Sequence, residues 1–346
     1  MAFSFTLVYL NPMDSISFSI IIPVFNRPKE IDELLESLKN SNFSDDFEVV
    51  IVEDGSDITS EKIIDIYKDV LNISYYYKNN SGPGDSRNYG MRNAKGNYFL
   101  IFDSDCLIPE NYLAIVKKQL LNDFSDCFGG PDAAHSSFTS IQKAINFSMT
   151  SFWTTGGIRG AKRQINSFEP RSFNMGISKV AFEATGGFGK IHPGEDPDLS
   201  IRLKNLGFKT NLFSEAFVYH KRRISWYKFF TQVNKFGKVR PILNFWHPQT
   251  SKLTYYFPSI FFLGLILSLI AGIFNFHWFM YLYLIYFTLL FFSALIMTQN
   301  LIIALLAMWA TIIQFFGYGL GFLVSSYYIH VLRITPEKAF PNLFFK

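Results

Sequence analysis

The stretch Tyr98-Phe99-Leu100-Ile101-Phe102-Asp103-Ser104-Asp105 decides the fold. An unbroken apolar run stops at two carboxylates spaced i, i+2. That is how a strand buried on both faces of a parallel sheet reads. Toward the N-terminus the pattern repeats. Residues 18–22 end at Pro23, residues 47–52 end in Glu53-Asp54-Gly55, and residues 73–77 form another apolar run. Helical spacings separate them: Ile31, Leu34, Leu35 and Leu38, then Ile63, Ile64, Tyr67 and Leu71, then a helix over 85–93. Beyond the quoted stretch, 113–121 is helical again, and 217–219 is strand-like. Strand–helix alternation predicts an α/β domain, a mostly parallel Rossmann-like sheet with helices on both faces. Ligands bind such sheets beyond the carboxyl ends of the strands. The candidates are therefore Pro23, Val24, Phe25 and Asn26 after the first strand, Glu53 and Asp54 after the second, and Asp103 and Asp105 after the fourth.

Each candidate has a chemistry. Paired carboxylates after a buried strand form a hard oxygen site that suits Mg²⁺ or Mn²⁺ together with substrate phosphates. The competing reading is a turn with capping Asp residues. Gly194-Glu195-Asp196 precedes a helical pattern at Leu199, Ile201 and Leu203. These acids either cap the helix or present a general base on a rigid helix start. His220 is followed by Lys221, Arg222 and Arg223, an anionic-ligand neighbourhood. Gly82-Pro83-Gly84 lacks the third glycine of a dinucleotide fingerprint, and no phosphate-cradling Gly-x-x-x-x-Gly-Lys-Ser/Thr occurs.

Composition locates a second region. The chain has 346 residues, 49% hydrophobic, and only 17% are charged, against about 25% in an ordinary soluble domain. The deficit lies between Lys252 and Arg333, where no Asp, Glu, Lys or Arg occurs. A transmembrane helix needs roughly 20 apolar residues, so about three helices are expected, over 255–274, 278–298 and 301–324. This excludes a fully soluble, a disordered and a disulfide-stapled secreted protein. The two cysteines, Cys106 and Cys127, read as reduced core thiols. Residues 1–12 lack a basic n-region and a cleavage site, so no signal peptide is expected. Ahead of the apolar region, 216–252 carries Lys and Arg interleaved with Trp226, Phe229, Phe230 and Phe236, and no acid after Glu215. That reads as an interfacial amphipathic segment on anionic lipid, which places this side in the cytosol. The expected organisation is an N-terminal extension (1–17), a catalytic domain (18–215), the basic segment (216–252), the membrane region (253–332) and a tail (333–346). Three crossings would leave the tail outside; an even number is the alternative.

Taken together and in order, these motifs resemble the family 2 glycosyltransferases with the GT-A fold. Ile20-Ile21-Ile22-Pro23-Val24-Phe25-Asn26 is similar to the family's first strand and nucleotide-binding turn. Val52-Glu53-Asp54-Gly55-Ser56 resembles Val-Asp-Asp-Gly-Ser, with Glu53 in place of the first acid and Asp54 expected at the base of the nucleotide. The segment from Gly84 through Arg87-Asn88-Tyr89-Gly90 resembles the one that brings an Arg near the nucleotide. Asp103-Ser104-Asp105 matches the metal motif, and Gly194-Glu195-Asp196 the acidic motif whose Asp is the catalytic base.

The resemblance implies an inverting, metal-dependent transfer from a UDP- or GDP-sugar. Asp103 and Asp105 would hold Mn²⁺ or Mg²⁺, Asp196 with Glu195 would be catalytic, and His220 would complete the metal shell or bind the diphosphate. Arg87, Arg222 and Arg223 would contact phosphate. The acceptor would be membrane-associated: a polyprenyl-phosphate, a glycolipid or a lipid-linked glycan, with no nucleic-acid partner. The location would be a bacterial inner membrane, with the catalytic domain cytoplasmic. One departure bears on the product. Processive members carry Gln-x-x-Arg-Trp before the membrane helices, where this chain has Gln232-Val233-Asn234-Lys235-Phe236. Addition of a single sugar is therefore expected. The alternatives are a processive polysaccharide synthase and a non-catalytic membrane scaffold with a degenerate transferase domain.

Overall fold

The structure, a computed structural model, describes residues 16–133, 138–155, 169–220 and 225–345. The expected alternation is present: β1 (Phe18–Val24), α1 (Pro28–Lys39), β2 (Phe47–Asp54), α2 (Glu61–Tyr67), β3 (Asn72–Lys78), α3 (Pro83–Asn93) and β4 (Tyr98–Phe102). There follow β5 (Cys106–Leu107), α4 (Tyr112–Asn122), β6 (Cys127–Gly129), β7 (Asp132–Ala133), α5 (Ser140–Thr150) and α6 (Phe152–Thr155). The domain closes with β8 (Asn174–Ser178), α7 (Lys179–Thr185), α8 (Glu195–Asn205), β9 (Thr210–Leu212) and β10 (Val218–His220). The main sheet runs β3-β2-β1-β4-β8-β6-β9. Its first four strands are parallel, and β8 is antiparallel to both neighbours.

Alternation along each strand builds two cores. Ile20, Ile22, Val49, Ile51, Leu100 and Phe102 face one side, where Ile31, Leu34, Leu35 and Leu38 of α1 cover them. Ile21, Val50, Val52, Phe99 and Ile101 face the other, with Met91 of α3, Phe182 of α7, and Leu199 and Leu203 of α8. A strand that buries both faces has no polar position until it ends. Its first polar side chains therefore fall at the sheet's carboxyl edge. Register aligns these ends, pairing Val24 with Glu53 and Asp54 with Lys78. A small second sheet, β5-β10-β7, sits beyond β4 and pairs His220 with Cys106. Both cysteines are buried and free.

The remainder is helical: α9 (Trp226–Trp246), α10 (Phe257–Ile273), α11 (Trp278–Thr298), α12 (Leu301–Ser326) and α13 (Pro336–Ala339). A π-helical turn, Tyr327–Val331, extends α12. Two of these are long and apolar enough to cross a membrane, α11 and the extended α12, Leu301–Val331; α10 has 17 residues. α10 falls short of the expected 255–274 because Leu253–Tyr255 forms a separate 3₁₀ turn.

The basic segment differs from its expectation. Phe229 and Val233 of α9 pack against Ala310 and Ile313 of α12 and Ile145 and Met149 of α5, so protein covers them. The reason is a row of small residues. Gly237 lies against the carbonyl of Tyr318, and Gly321 against the carbonyl of Asn234, so the two backbones approach closely. Outward-facing side chains of α10 and α11 remain exposed, including Ile273 at 78% and Trp278 at 79%. After α13 the chain returns to the catalytic domain. His192 N donates to Leu343 O (2.7 Å), Phe345 N donates to Lys190 O (3.1 Å), and Ile191 bridges Phe344.

The α9–α12 contact leaves no room for a side chain. Gly321→Val is expected to destabilise the protein by roughly 1–3 kcal/mol, the usual cost of overpacking. Exposed Leu320→Ala should leave stability nearly unchanged. Thermal unfolding of the detergent-solubilised protein checks both, and equal melting temperatures for Gly321→Val and wild type would contradict this packing.

Candidate active site

The edge where the parallel strands end collects nearly all the candidate residues, but with a division of labour that motifs do not reveal. Glu53 is fully buried and faces inward. Its carboxylate accepts from Ser56 Oγ, from Ser60 N (2.8 Å) and from Tyr75 OH (3.3 Å). Its work is to shape the loop between β2 and α2. Asp54 shapes the next loop. It accepts from Lys78 Nζ (2.6 Å), Ser81 N (3.0 Å) and Gly82 N (2.9 Å). Asn26 ties the turn after β1 to the same region, its Oδ1 accepting from Asp57 N (2.9 Å) and Ile58 N (3.1 Å). It does so at φ 53°, a left-handed conformation that Asn tolerates. Pro23 is half-buried and Val24 buried, while Phe25 stands 49% exposed at this edge.

Arg87 was expected beside the nucleotide. It is instead 3% exposed. Its Nη2 donates to Asp103 Oδ1 (2.8 Å) and its Nη1 to Glu195 Oε1 (3.1 Å), with the ring of Phe188 at 5.3 Å. Burial works against its charge, but Asp103, Glu195 and Asp196 outweigh burial and hold it charged. One guanidinium thus joins the metal motif to the acidic motif, reaching Glu195 108 residues further along the chain.

Glu195 and Asp196 are neighbours in sequence and opposites in environment. Burial would raise Glu195, but His192 (Nδ1 to Oε1, 2.9 Å) and Arg87 outweigh it, and its pKa falls well below the usual range. Asp196 rises to about 6, first through burial, then through repulsion from ionised Glu195. Its Oδ1 is buried and has no hydrogen-bond partner among the described residues. Two titratable groups pushed apart in this way mark an acid–base assignment. The loop that presents them is tight. Gly194 has φ 125°, and a Cβ there would meet Val239 of α9. Farther along α8, Asp198 accepts from Arg202 Nε (3.0 Å) and pairs with His247 Nε2 (2.9 Å), locking the helix to the end of α9.

The candidate metal residues separate. Asp105 and His220 come together, Oδ1 to Nε2 at 3.2 Å, with the imidazole stacked on Phe173. Asp105, Cys106 and His220 offer ligand atoms within 4.8 Å of one another. Asp103 is outside that set because its carboxylate is turned to Arg87. Burial pushes the Cys106 thiol well above its ordinary pKa, so it stays protonated. The fitting donors are therefore a carboxylate and an imidazole, which suit Mn²⁺ or Mg²⁺ with substrate oxygens completing the shell. Arg27 Nη1 also reaches Asp105 Oδ2 (2.5 Å). Burial would raise Asp105; His220 and Arg27 hold it far below the usual carboxylate range. Arg222 and Arg223 lie outside the described residues.

Several residues here escaped the sequence reading. Arg27 and Lys78 stand directly after or at the end of parallel strands, so the strand-end rule applied to each run would have found them. His192 and His247 carry no local signal; each matters only through a contact made by folding.

Comparison with known proteins agrees with this geometry. Residues 19–186 match glycosyl transferase family 2, and residues 168–325 match glycosyl transferase family group 2. The poly(ribitol-phosphate) beta-N-acetylglucosaminyltransferase TarS of Staphylococcus aureus is 39% identical over 99 residues, 28% of this chain and 17% of that protein. The minor teichoic acid biosynthesis protein GgaB of Bacillus subtilis is 35% identical over 112 residues, 32% of this chain and 12% of that protein. The matched segments thus span well under a quarter of these two relatives. A mannosyltransferase of Pyrobaculum calidifontis, solved with GDP-Man and Mn²⁺, shares the fold at TM-score 0.51 and 16% identity, covering 65% of this chain and 63% of that one. The ordered motifs, the sheet that aligns their ends and the matches across both halves agree: the chain belongs to the family 2 glycosyltransferases.

Proposed function

We propose that the protein transfers a single sugar from a UDP- or GDP-sugar to a membrane-associated acceptor, inverting the anomeric centre. The observation that carries this reading is the divided pair at the start of α8. Glu195 is spent on Arg87 and His192, while Asp196 keeps a buried, unpartnered oxygen and a pKa raised to about 6. Asp196 takes the proton of the attacking hydroxyl. Arg87 holds Asp103 and Glu195 in register, so the base is fixed relative to the donor side of the cleft. Asp54 and Asn26 set the loops that receive the nucleotide, and exposed Phe25 offers it a flat apolar surface. A Mn²⁺ or Mg²⁺ ion held by Asp105 and His220 would supply charge neutralisation for a diphosphate leaving group. The names of two relatives, a poly(ribitol-phosphate) transferase and a teichoic acid biosynthesis protein, support an acceptor built on phosphate-containing polymers.

The membrane arrangement proposed here has two crossings. α10 and α11 form an antiparallel hairpin whose tip, residues 274–277, is exposed. At 17 residues α10 meets the lower end of the about 17–25 that span a bilayer. α12 lies along α9 and α5 and turns an apolar stripe outward at Ile302, Leu305 and Trp309. The contacts of Leu343, Phe344 and Phe345 with residues 190–192 keep the tail on the catalytic side, as an even number of crossings requires.

Kinetics, calorimetry and surface labelling test these readings. Asp196→Asn should bind donor nearly normally and turn over about 10²–10⁴-fold more slowly. In the wild type, kcat should fall as pH drops through about 6, because the base is then protonated. Near-wild-type turnover in the variant would reduce Asp196 to a helix cap.

For the metal, calorimetry of UDP binding should show a gain with Mn²⁺ that Asp105→Ala abolishes. Wild-type-like binding by that variant, independent of metal, would refute the assignment.

For topology, single cysteines at Asn275 and Lys338 should react with an impermeant maleimide from opposite faces of the membrane. Lys338→Cys should react from the catalytic face, and labelling of both from one face would rule out the two-crossing arrangement.

A further inference from the structure

The junction of α9 with residues 169–172 holds a charge arrangement that the catalytic scheme leaves unused. Arg240 is 9% exposed and follows Val239, the residue that packs on Gly194 just ahead of the catalytic acids. Its guanidinium lies over the ring of Tyr255 at 4.1 Å. It approaches Glu169 only to 3.9 Å, and Arg171 approaches the same carboxylate only to 3.8 Å. Both separations exceed hydrogen-bond reach. Arg240 Nη1 is buried and has no hydrogen-bond partner among the described residues. A charged donor left unpaired away from water is costly.

The surrounding charge does not cancel. One carboxylate faces two guanidiniums, and Lys204 and Lys252 act in the same neighbourhood. Burial lowers the Lys204 pKa, Lys252 lowers it further, and Glu169 opposes them. The site also touches the chemistry. The charge of Arg171 and the backbone at Ser172 both favour the ionised form of Asp196. A partly dry, net positive cluster of side chains therefore adjoins the proposed base, where α9 leads into the first apolar helix.

We infer that Arg240 and Arg171 form a binding site for a phosphate group carried by the acceptor. This rests on the transferase reading above. Guanidinium forks match phosphate oxygens in two parallel hydrogen bonds. Tyr255 covers the face of Arg240 and leaves its N–H edge for the ligand. A phosphate there anchors the acceptor while its hydroxyl reaches Asp196, and Glu169 keeps the two arginines from repelling one another when the site is empty.

The test uses the full-length protein in detergent micelles, saturated with UDP and followed by tryptophan fluorescence. The probes are farnesyl phosphate against farnesol, and a glycerol-phosphate oligomer against glycerol. At least one phosphate-bearing probe should bind about tenfold or more tightly than its phosphate-free analogue, as charged hydrogen bonds would give. Preference for farnesyl phosphate assigns the phosphate to a lipid, and preference for the oligomer assigns it to a polymer; either supports the site. Arg240→Gln should erase the discrimination, Arg240→Lys should retain part of it, and both should keep wild-type UDP affinity. Arg171→Gln, at a more exposed position, gives the same readout if Arg240→Gln does not fold. Lack of discrimination in the wild type, or its survival in both glutamine variants, overturns the inference. So does a loss of UDP affinity with discrimination intact, which would give the two arginines to the donor diphosphate. Donor hydrolysis by the wild type tests the transferase reading separately, so failure of one is distinguishable from failure of the other.

Discussion

A guanidinium buried between two carboxylates holds this site together. Arg87 pairs with Asp103 at the end of β4 and with Glu195 at the start of α8. Removing one partner of such a buried set typically costs about 3–5 kcal/mol, because the remaining charge is stranded. The arrangement is thus more than a tether. It consumes the charge of Glu195, and the ionised Glu195 in turn raises its neighbour Asp196. A structural ion pair thereby pushes two neighbouring acids in opposite directions.

The same economy runs through the carboxyl edge of the sheet. Most acids there are already engaged with protein. Glu53 and Asp54 organise loops, Asp198 binds α8 to α9, and Asp105 faces His220 and Arg27. Asp196 differs from these, since its Oδ1 is buried and has no hydrogen-bond partner among the described residues. Burial without a partner is unfavourable for stability and useful for proton transfer. The helices behind the site contribute through position. α9 meets the loop before Glu195 and Asp196 at Val239 and meets α12 through glycines, so one helix touches both the apolar region and the acidic loop.

Much of the sheet could be read directly. β1 to β4 and their helices followed from apolar runs and 3.6-residue spacing, because long buried strands and amphipathic helices write their environment into every residue. β6, β8 and β9 did not. They have three to five residues, and Asn174-Met175-Gly176-Ile177-Ser178 offers only two alternating apolar positions, Met175 and Ile177, among Asn, Gly and Ser, too short a pattern to stand out. Their places depend on pairing with strands distant in the chain. The mixture of basic and aromatic residues in α9 was readable, but its cover was not, since a helix that packs on protein and one that rests on lipid can carry the same residues.

The sequence by itself determined the parallel core, the strand-end acids, the acidic pair before α8 and the charge-free stretch after Lys252. Each is a local pattern: an apolar run, a terminating carboxylate, a composition. Only the tertiary structure decided that Asp196 Oδ1 is left without a hydrogen-bond partner among the described residues, that Asp103 turns to Arg87 while Asp105 meets His220, and that residues 343–345 return to residues 190–192. These outcomes depend on distances between groups far apart in the chain. A carboxylate's role is set by what lies within a few ångströms of its oxygens, and sequence order does not carry that information.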